Sequence, residues 1–392
     1  MALTKVDISL MDNVGTTANK LLAYDGSGNL PAVDGSQLTN VATGITESSS
    51  DPTISTNPSG GVGTQWNNTT SGEVYICTDA TAGANVWKNV GAGTGNVQLL
   101  FQGTIEGYAV GGSTGTPSNV IDKYSFTSDA NATDVGDLVT AKGGGNCTHS
   151  NTYGYIAGGA TGSSAAAPYV DVIEKLAFAS GGNSVAQTAV LLAAKAFGAS
   201  ASTNAFGYHM GGFAPSISNV IEKYSMVVDT DATDVGDLSV NRGRPGGASS
   251  DTYGYAFGDV SPNSNVIDKF SFDSGSVSGN ISQLTVARSC SGACSITHGY
   301  AFGGYAGHPV NYQNEIDKFS FATEATATDV GNLTVARANS SSTCSTTFGY
   351  TVGGDGGNTV IDKVSFSSDG NATDVGDSTV AKANMGSQGW NY

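Results

Sequence analysis

The sequence predicts an all-β chain: a six-bladed β-propeller, preceded by a fibre-like N-terminal segment and a small β-meander module. Three observations carry this expectation. Glycine is very abundant, 55 of 392 residues, beside frequent Ser, Thr and Asn, while Leu, Glu and Lys are scarce. That profile suits short strands joined by tight turns rather than helices. An aromatic-glycine strand recurs six times, opening at Gly107, Gly154, Gly207, Gly254, Gly299 and Gly349, in steps of 47, 53, 47, 45 and 50 residues. A period near that length is the size of one propeller blade, and blades ring an axis so that only short edges remain.

Each unit reads as four strands. The first is a small, polar run of about twelve residues before the Gly-Tyr pair, as in "ANSSSTCSTTF". Small residues suit the crowded strand nearest the axis, and His149, Ser202, Ser249, Cys294 and Cys344 stand five positions before successive Gly-Tyr pairs. The second strand is "GYAVGG" and its kin, whose paired glycines permit positive φ and close backbone approach. The third is "NVIDKYSF" and its kin. The fourth carries the phrase "ATDVGDL", written nearly unchanged at 131–138, 231–238, 326–333 and 371–378, and ends in Lys or Arg. Units two and four replace the phrase with "SVAQTAVL" and "GNISQLTV". The phrase is therefore read as one strand and its entry turn, with Asp134 and Asp137 as turn residues.

The unit count also predicts how the ring closes. The last unit ends at Lys382, and the tail "ANMGSQGWNY" is long enough for one further first strand. Upstream of Gly107, "GNVQLLFQGTIE" lacks the small polar run. Residues near 386–391 are expected to supply the innermost strand of the blade that begins at Gly107, with Trp390 near the axis.

Ahead of the repeats, residues 1–47 hold few apolar residues, punctuated by Gly, Asp, Ser and Asn turns. Too little is there for a compact single-chain core, so this reads as an attachment and oligomerisation segment. Residues 48–97 place Trp66, Tyr75 and Trp87 on three strand-like runs, a small β module whose two Trp cover one face. Residues 98–392 are the propeller.

A formal net charge of −17 leaves no basic footprint for nucleic acid, and an anionic membrane surface would repel the chain. No apolar run suggests a signal peptide or membrane insertion. Five cysteines form no disulfide framework, and Cys290 and Cys294 find no second pair to complete a zinc site. Cys294 and Cys344 read as small buried residues.

The order of apolar strand, Gly-Gly, variable loop, "V-x-x-Y-x-x" and a strand ending in Arg or Lys resembles the kelch repeat. It departs from kelch in lacking the Trp of the last strand, where "ATDVGDL" stands instead. The variant "IDKFSF…ATDVGDLTVAR…GYxxGG", over roughly residues 100–392, is similar to repeats in virion structural and tail-fibre-like proteins of marine and cyanobacterial bacteriophages. Residues 1–47 likewise resemble fibre attachment and shaft segments. The resemblance implies a virion protein assembled in the host cytoplasm. Its N-terminal segment would contact other tail proteins and form a homo-oligomer, a trimer, and its propeller would meet a host-surface glycan or protein. A purely structural nozzle or decoration subunit is the alternative, and a glycan-processing enzyme a distant third.

No enzyme chemistry is assembled in the sequence, and no cofactor or metal is expected. The four His occupy different places in the unit, and Arg242, Arg288 and Arg337 end strands instead of converging; Arg244 alone lies off that position. The adjacent Asp-Lys or Glu-Lys pairs, from Asp122-Lys123 to Asp362-Lys363, read as inter-blade or blade-edge ion pairs, worth roughly 0–1 kcal/mol each if exposed. What varies is the loop after each Gly-Gly strand, and loops on a rigid scaffold are where binding residues collect. Tyr169, Phe213, Tyr305, His308 and Tyr312 are the aromatic and imidazole candidates there for a sugar or protein surface.

Overall fold

Every strand expected of the six repeats forms. The computed structural model describes residues 45–90, 103, 105–162, 166, 168–214, 216–260, 263–307, 311–385 and 390–391. The expected attachment segment lies outside the described residues up to residue 44. Described residues form seven four-stranded sheets and no helix, a propeller-like all-β fold. The chain divides into two units, Met1–Gln98 and Leu99–Tyr392.

The first unit holds β1 (Ile45–Ser48), β2 (Gln65–Asn68), β3 (Val74–Asp79) and β4 (Val86–Asn89), paired in that order. Three of these are the expected meander. The polar strand β1 is an addition, running parallel to β2 from inside the stretch assigned to attachment. Its backbone pairing, not its side chains, makes it a strand. Trp87 is buried with Tyr75 and Cys77, and Trp66 meets it edge-on with centroids 5.8 Å apart.

The second unit opens with β5 (Glu106–Val110), β6 (Val120–Ser125) and β7 (Thr133–Asp137). The next sheet is β8 (Asn146–His149), β9 (Tyr153–Ala157), β10 (Val172–Ala177) and β11 (Val185–Val190). Then come β12 (Ala199–Ser202), β13 (Phe206–Met210), β14 (Ser218–Ser225) and β15 (Thr233–Arg242). The fourth sheet has β16 (Gly246–Ser249), β17 (Tyr253–Val260), β18 (Asn263–Ser271) and β19 (Val277–Gln283). The fifth has β20 (Ser289–Cys294), β21 (His298–Tyr305), β22 (Tyr312–Ser320) and β23 (Thr328–Asn332). The sixth has β24 (Ser341–Cys344), β25 (Phe348–Val352), β26 (Val360–Ser365) and β27 (Thr373–Asp377). Units two and four form their fourth strands without the repeated phrase. Finally β28 (Trp390–Asn391) pairs antiparallel with β5, Trp390 opposite Tyr108 and Asn391 opposite Gly107, and completes the sheet β28-β5-β6-β7. Trp390 and Asn391 thus take the place expected of the tail, whose residues 386–389 lie outside the described residues, while Gly103 bridges to Ser345 instead. First strands neighbour one another in cyclic order, with β28 between β24 and β8.

Three devices repeat around this cycle. The first is aromatic. The Tyr of each Gly-Tyr strand stacks on the ring that ends the third strand of the next sheet: Tyr108 on Phe178, Tyr208 on Phe272, Tyr255 on Phe321, Tyr300 on Phe366, and Tyr350 on Phe126 across the closure, at 4.6–5.3 Å. Where Met226 replaces the ring, the Tyr155 hydroxyl donates to its carbonyl. Such stacks add about 0.5–1.5 kcal/mol each beyond the area they bury. The preceding glycine makes room within the sheet: a Cβ on Gly299 would lie 2.2 Å from the Phe319 ring.

The second device is the repeated phrase itself. Its residues are not turn residues, as expected of Asp134 and Asp137, but a bulged strand that stitches one sheet to the next. Asp134 Oδ1 accepts the Gly136 N–H, and the Asp137 N–H donates to Asn183 of the following sheet. In the same way Asn332 N–H donates to Asn371 Oδ1 and Ala372 N–H to the Asn332 carbonyl. At the closure Asp377 N–H donates to Asn131 Oδ1, and Ala132 N–H to the Asp377 carbonyl. The glycine is required because the neighbouring backbone is so close: a Cβ on Gly331 would sit 2.2 Å from the Gly370 carbonyl oxygen.

The third device is ionic, and of the two expected arrangements it is the one between sheets. Adjacent residues of a strand face opposite ways, so the two do not act together. The acid turns inward and meets the Lys or Arg that ends the preceding fourth strand: Lys142–Glu174, Lys195–Glu222, Arg242–Asp268, Arg288–Asp317, Arg337–Asp362 and Lys382–Asp122. All twelve side chains are buried. Each carboxylate also accepts from the linker that carries the cation, as Thr285 N–H and Oγ1 do for Asp317. The neighbouring lysine faces outward. Lys269 lies over the Tyr253 ring and pairs with Glu324, and Lys363 lies over Phe348 and pairs with Asp129.

Candidate functional site

The linker into each first strand begins with a buried cation and places a second residue two positions later. Those six residues are Gly144, Phe197, Arg244, Cys290, Asn339 and Asn384, and together they line one recess. Equivalent residues from all six sheets meet only around the common axis, so this recess is the axial mouth. Gly144, Phe197, Asn339 and Asn384 reach it through left-handed backbone, with φ of 65°, 66°, 56° and 54°. Glycine and asparagine tolerate that region; a phenylalanine there costs on the order of 1–3 kcal/mol, and such strain gathers at functional sites.

Arg244 spans the mouth. Its guanidinium lies 3.9 Å over the Phe197 ring, and its Nη1 donates to Asn339 Oδ1 at 2.8 Å and Asn384 Oδ1 at 2.9 Å. Asn339 in turn donates to Asp355 Oδ2 at 2.8 Å. Asp259 is buried beneath, its carboxylate accepting the backbone N–H groups of Gly243 and Arg244. Burial lowers the Arg244 pKa, against the pull of Asp355, Tyr169 and Asp259. Burial likewise holds the Asp355 carboxyl above the usual range, opposed by Asn339, Arg244 and Tyr312.

Four of the five expected loop residues stand outside the lining of this recess, in the surroundings of Phe197 and Asp355. Phe213 meets Phe197 edge-on at 6.2 Å, and Tyr169 and Phe197 both pack against Ala160 and Ala196. Tyr305 and Tyr312 pair at 6.3 Å, with Tyr312 beside Asp355. Arg244 joins the two groups, through Phe197 on one side and through Asn339 and Asp355 on the other. His308 lies outside the described residues. Sequence reasoning missed Phe197, Asn339, Asn384 and Asp355. The signal was the column two residues after each terminal cation, where only Arg244 carries a charge.

The recess measures ≈ 40 Å³. A few water molecules or one small charged group fill that volume; a sugar ring does not. A larger ligand would rest on the aromatic rim and send only a substituent inward.

The other residues weighed for chemistry are dispersed. Arg242, Arg288 and Arg337 are each committed to a carboxylate. All five cysteines are buried and outside any disulfide, and burial pushes the Cys147 and Cys290 thiols up to about 12, far from thiolate reactivity. His209 is sealed beside Lys195, while His298 sits elsewhere with Thr297. No group of three or more His, Cys, Asp or Glu is placed to hold a metal ion among the described residues. No protein-family model matches the chain, and no curated protein matches it.

Proposed function

We propose that this chain is a phage virion structural protein of tail-fibre or receptor-binding type. Its second unit is read as a six-bladed kelch-like β-propeller, displayed for host-surface recognition. The observation that carries the reading is a contrast within one disc. Stacked rings, phrase and buried ion pair repeat from sheet to sheet, while the residues at the axial mouth differ at nearly every position and gather aromatic and polar side chains. Repetition builds the platform; the departure from repetition is the place for recognition. Residues 1–47 are proposed to form the trimer and to contact other tail proteins. The reading involves no catalysis.

The small recess favours the second reading, a purely structural virion component whose mouth meets another virion protein. The experiment that separates them is adsorption of the labelled full-length chain to candidate host cells. Saturable binding, lost after the surface polysaccharide or protein is stripped, supports display for recognition. Binding to tail proteins alone supports the structural role.

A further inference from the structure

We propose that the axial mouth binds a carboxylate-bearing sugar residue, with Arg244 as the group that reads the carboxylate. This inference rests on the recognition role just proposed. Of the four arginines, Arg242, Arg288 and Arg337 each hold a carboxylate at 3.0–3.1 Å, and Arg244 holds none among the described residues. The two nearby acids are already engaged: Asp259 by backbone amides, Asp355 by Asn339. Arg244 is partly buried and stacked, so it has lost hydration without gaining an anion. Its Nη1 is spent on two amide oxygens. Its Nε and Nη2 edge has no partner among the described residues and is not sealed from solvent. That edge carries parallel N–H donors in the fork that matches the two oxygens of a carboxylate.

Size and surroundings set the rest of the ligand. A carboxylate is small enough for the ≈ 40 Å³ recess, and the sugar ring that bears it is not. The ring would lie on the rim formed by Tyr169, Phe213, Tyr305 and Tyr312, where aromatic faces with polar tips suit the apolar faces and hydroxyls of a pyranose. The strained Phe197 backbone holds the cation in place, and Asn339 and Asn384 fix its rotation, so little ordering is left to oppose binding.

The test is titration of the full-length chain with glucuronate, its methyl ester and glucose, followed by calorimetry or ligand-observed NMR. Glucuronate is expected to bind with at least about tenfold higher affinity than either neutral sugar, the worth of a charged hydrogen-bonded contact. Arg244→Gln should remove that preference, and Arg244→Lys, which keeps the charge without the fork, should restore part of it. Thermal melts of each variant show whether the disc still folds; if Arg244→Gln does not, the comparison of ester with acid on the natural chain decides alone. Equal affinity for the three sugars, no binding to any of them, or a preference that survives Arg244→Gln in a folded chain overturns the proposal. Cell adsorption is a separate readout: a chain that adsorbs to cells yet ignores glucuronate keeps the recognition role and loses this ligand.

Discussion

Lys382 Nζ lies 3.1 Å from a carboxylate oxygen of Asp122, joining the last linker of the chain to the first complete third strand. The same pair forms between each linker and the sheet it enters, so the closure is sealed by the geometry used inside the ring. Both side chains are buried, and desolvation lowers the Lys382 pKa against the pull of Asp122. The pair is worth most as a specification of which sheet meets which, because removing both charges together can be nearly neutral.

Breaking it one side at a time should be costly. Lys382→Met leaves the Asp122 carboxylate buried without its cation and is expected to cost about 3–5 kcal/mol. Adding Asp122→Leu should recover much of that loss. Lys123→Met, one residue along the strand, removes only a partly exposed contact with Glu106 and should change stability by about 1 kcal/mol or less. Urea unfolding of the three variants checks the contrast; equal losses from Lys382→Met and Lys123→Met would contradict the opposed faces of Asp122 and Lys123.

The repeated phrase makes its own prediction. Gly331→Ala places a methyl group 2.2 Å from the Gly370 carbonyl oxygen, and that oxygen belongs to backbone that cannot rotate away. The two sheets must separate locally, at a cost of about 1–3 kcal/mol. Gly356→Ala, where a Cβ meets nothing within 4 Å, still carries positive φ and isolates the backbone term. Melting temperatures of both variants separate crowding from strain.

Acid should weaken the fold through His209. Both ring nitrogens are buried without a hydrogen bond, and burial first, then Lys195, depress its pKa well below the ordinary value. The unfolded chain takes up a proton below about pH 6.5 and the folded chain does not. Stability is therefore full above that pH and falls as pH drops toward the depressed folded value, by up to about 1.4 kcal/mol per pH unit. His209→Leu should flatten this part of the curve. Denaturation midpoints from pH 7.5 to 5, compared between the two chains, test it; parallel curves would assign the acid effect to carboxylates instead.

Much of the fold was legible because it repeats. Six Gly-Tyr strands, six third strands and a tail of one strand's length were enough to place β28 beside β5. The linkage of residues was harder to read. Asp122 and Lys123 are adjacent in sequence and look like a pair, yet strand alternation sends one inward and one outward. Asp137 looks like a turn residue because the seam it builds is to a different sheet, which no local pattern records. At the mouth, Phe197 and Asn339 act through left-handed backbone and through Arg244, 47 and 95 residues away in sequence, so their role appears only once the linkers come together. Tyr169, Phe213, Tyr305 and Tyr312 were found because the sequence after each Gly-Gly varies in length, a local property, although Tyr305 and Tyr312 prove to be paired strand ends of β21 and β22.

Ending the chain after Met385 is the sharpest test of the closure. The truncated chain keeps Lys382 and its ion pair, the Asp377–Asn131 seam and the Tyr350–Phe126 stack, and loses only β28. The edge of β5 that pairs with Trp390 and Asn391 is then uncovered. Unpaired edges recruit strands from other molecules. The expected result is a folded chain that self-associates in a concentration-dependent way, seen by light scattering coupled to gel filtration, with a lowered melting temperature. A synthetic peptide of residues 383–392 added in excess should pair with β5 and suppress the association, as an extended peptide does when it completes a sheet. A truncated chain that matches the full-length one in association state and melting temperature would mean that β28 contributes nothing to closure, and that ion pair, seam and stacked rings hold the ends together unaided.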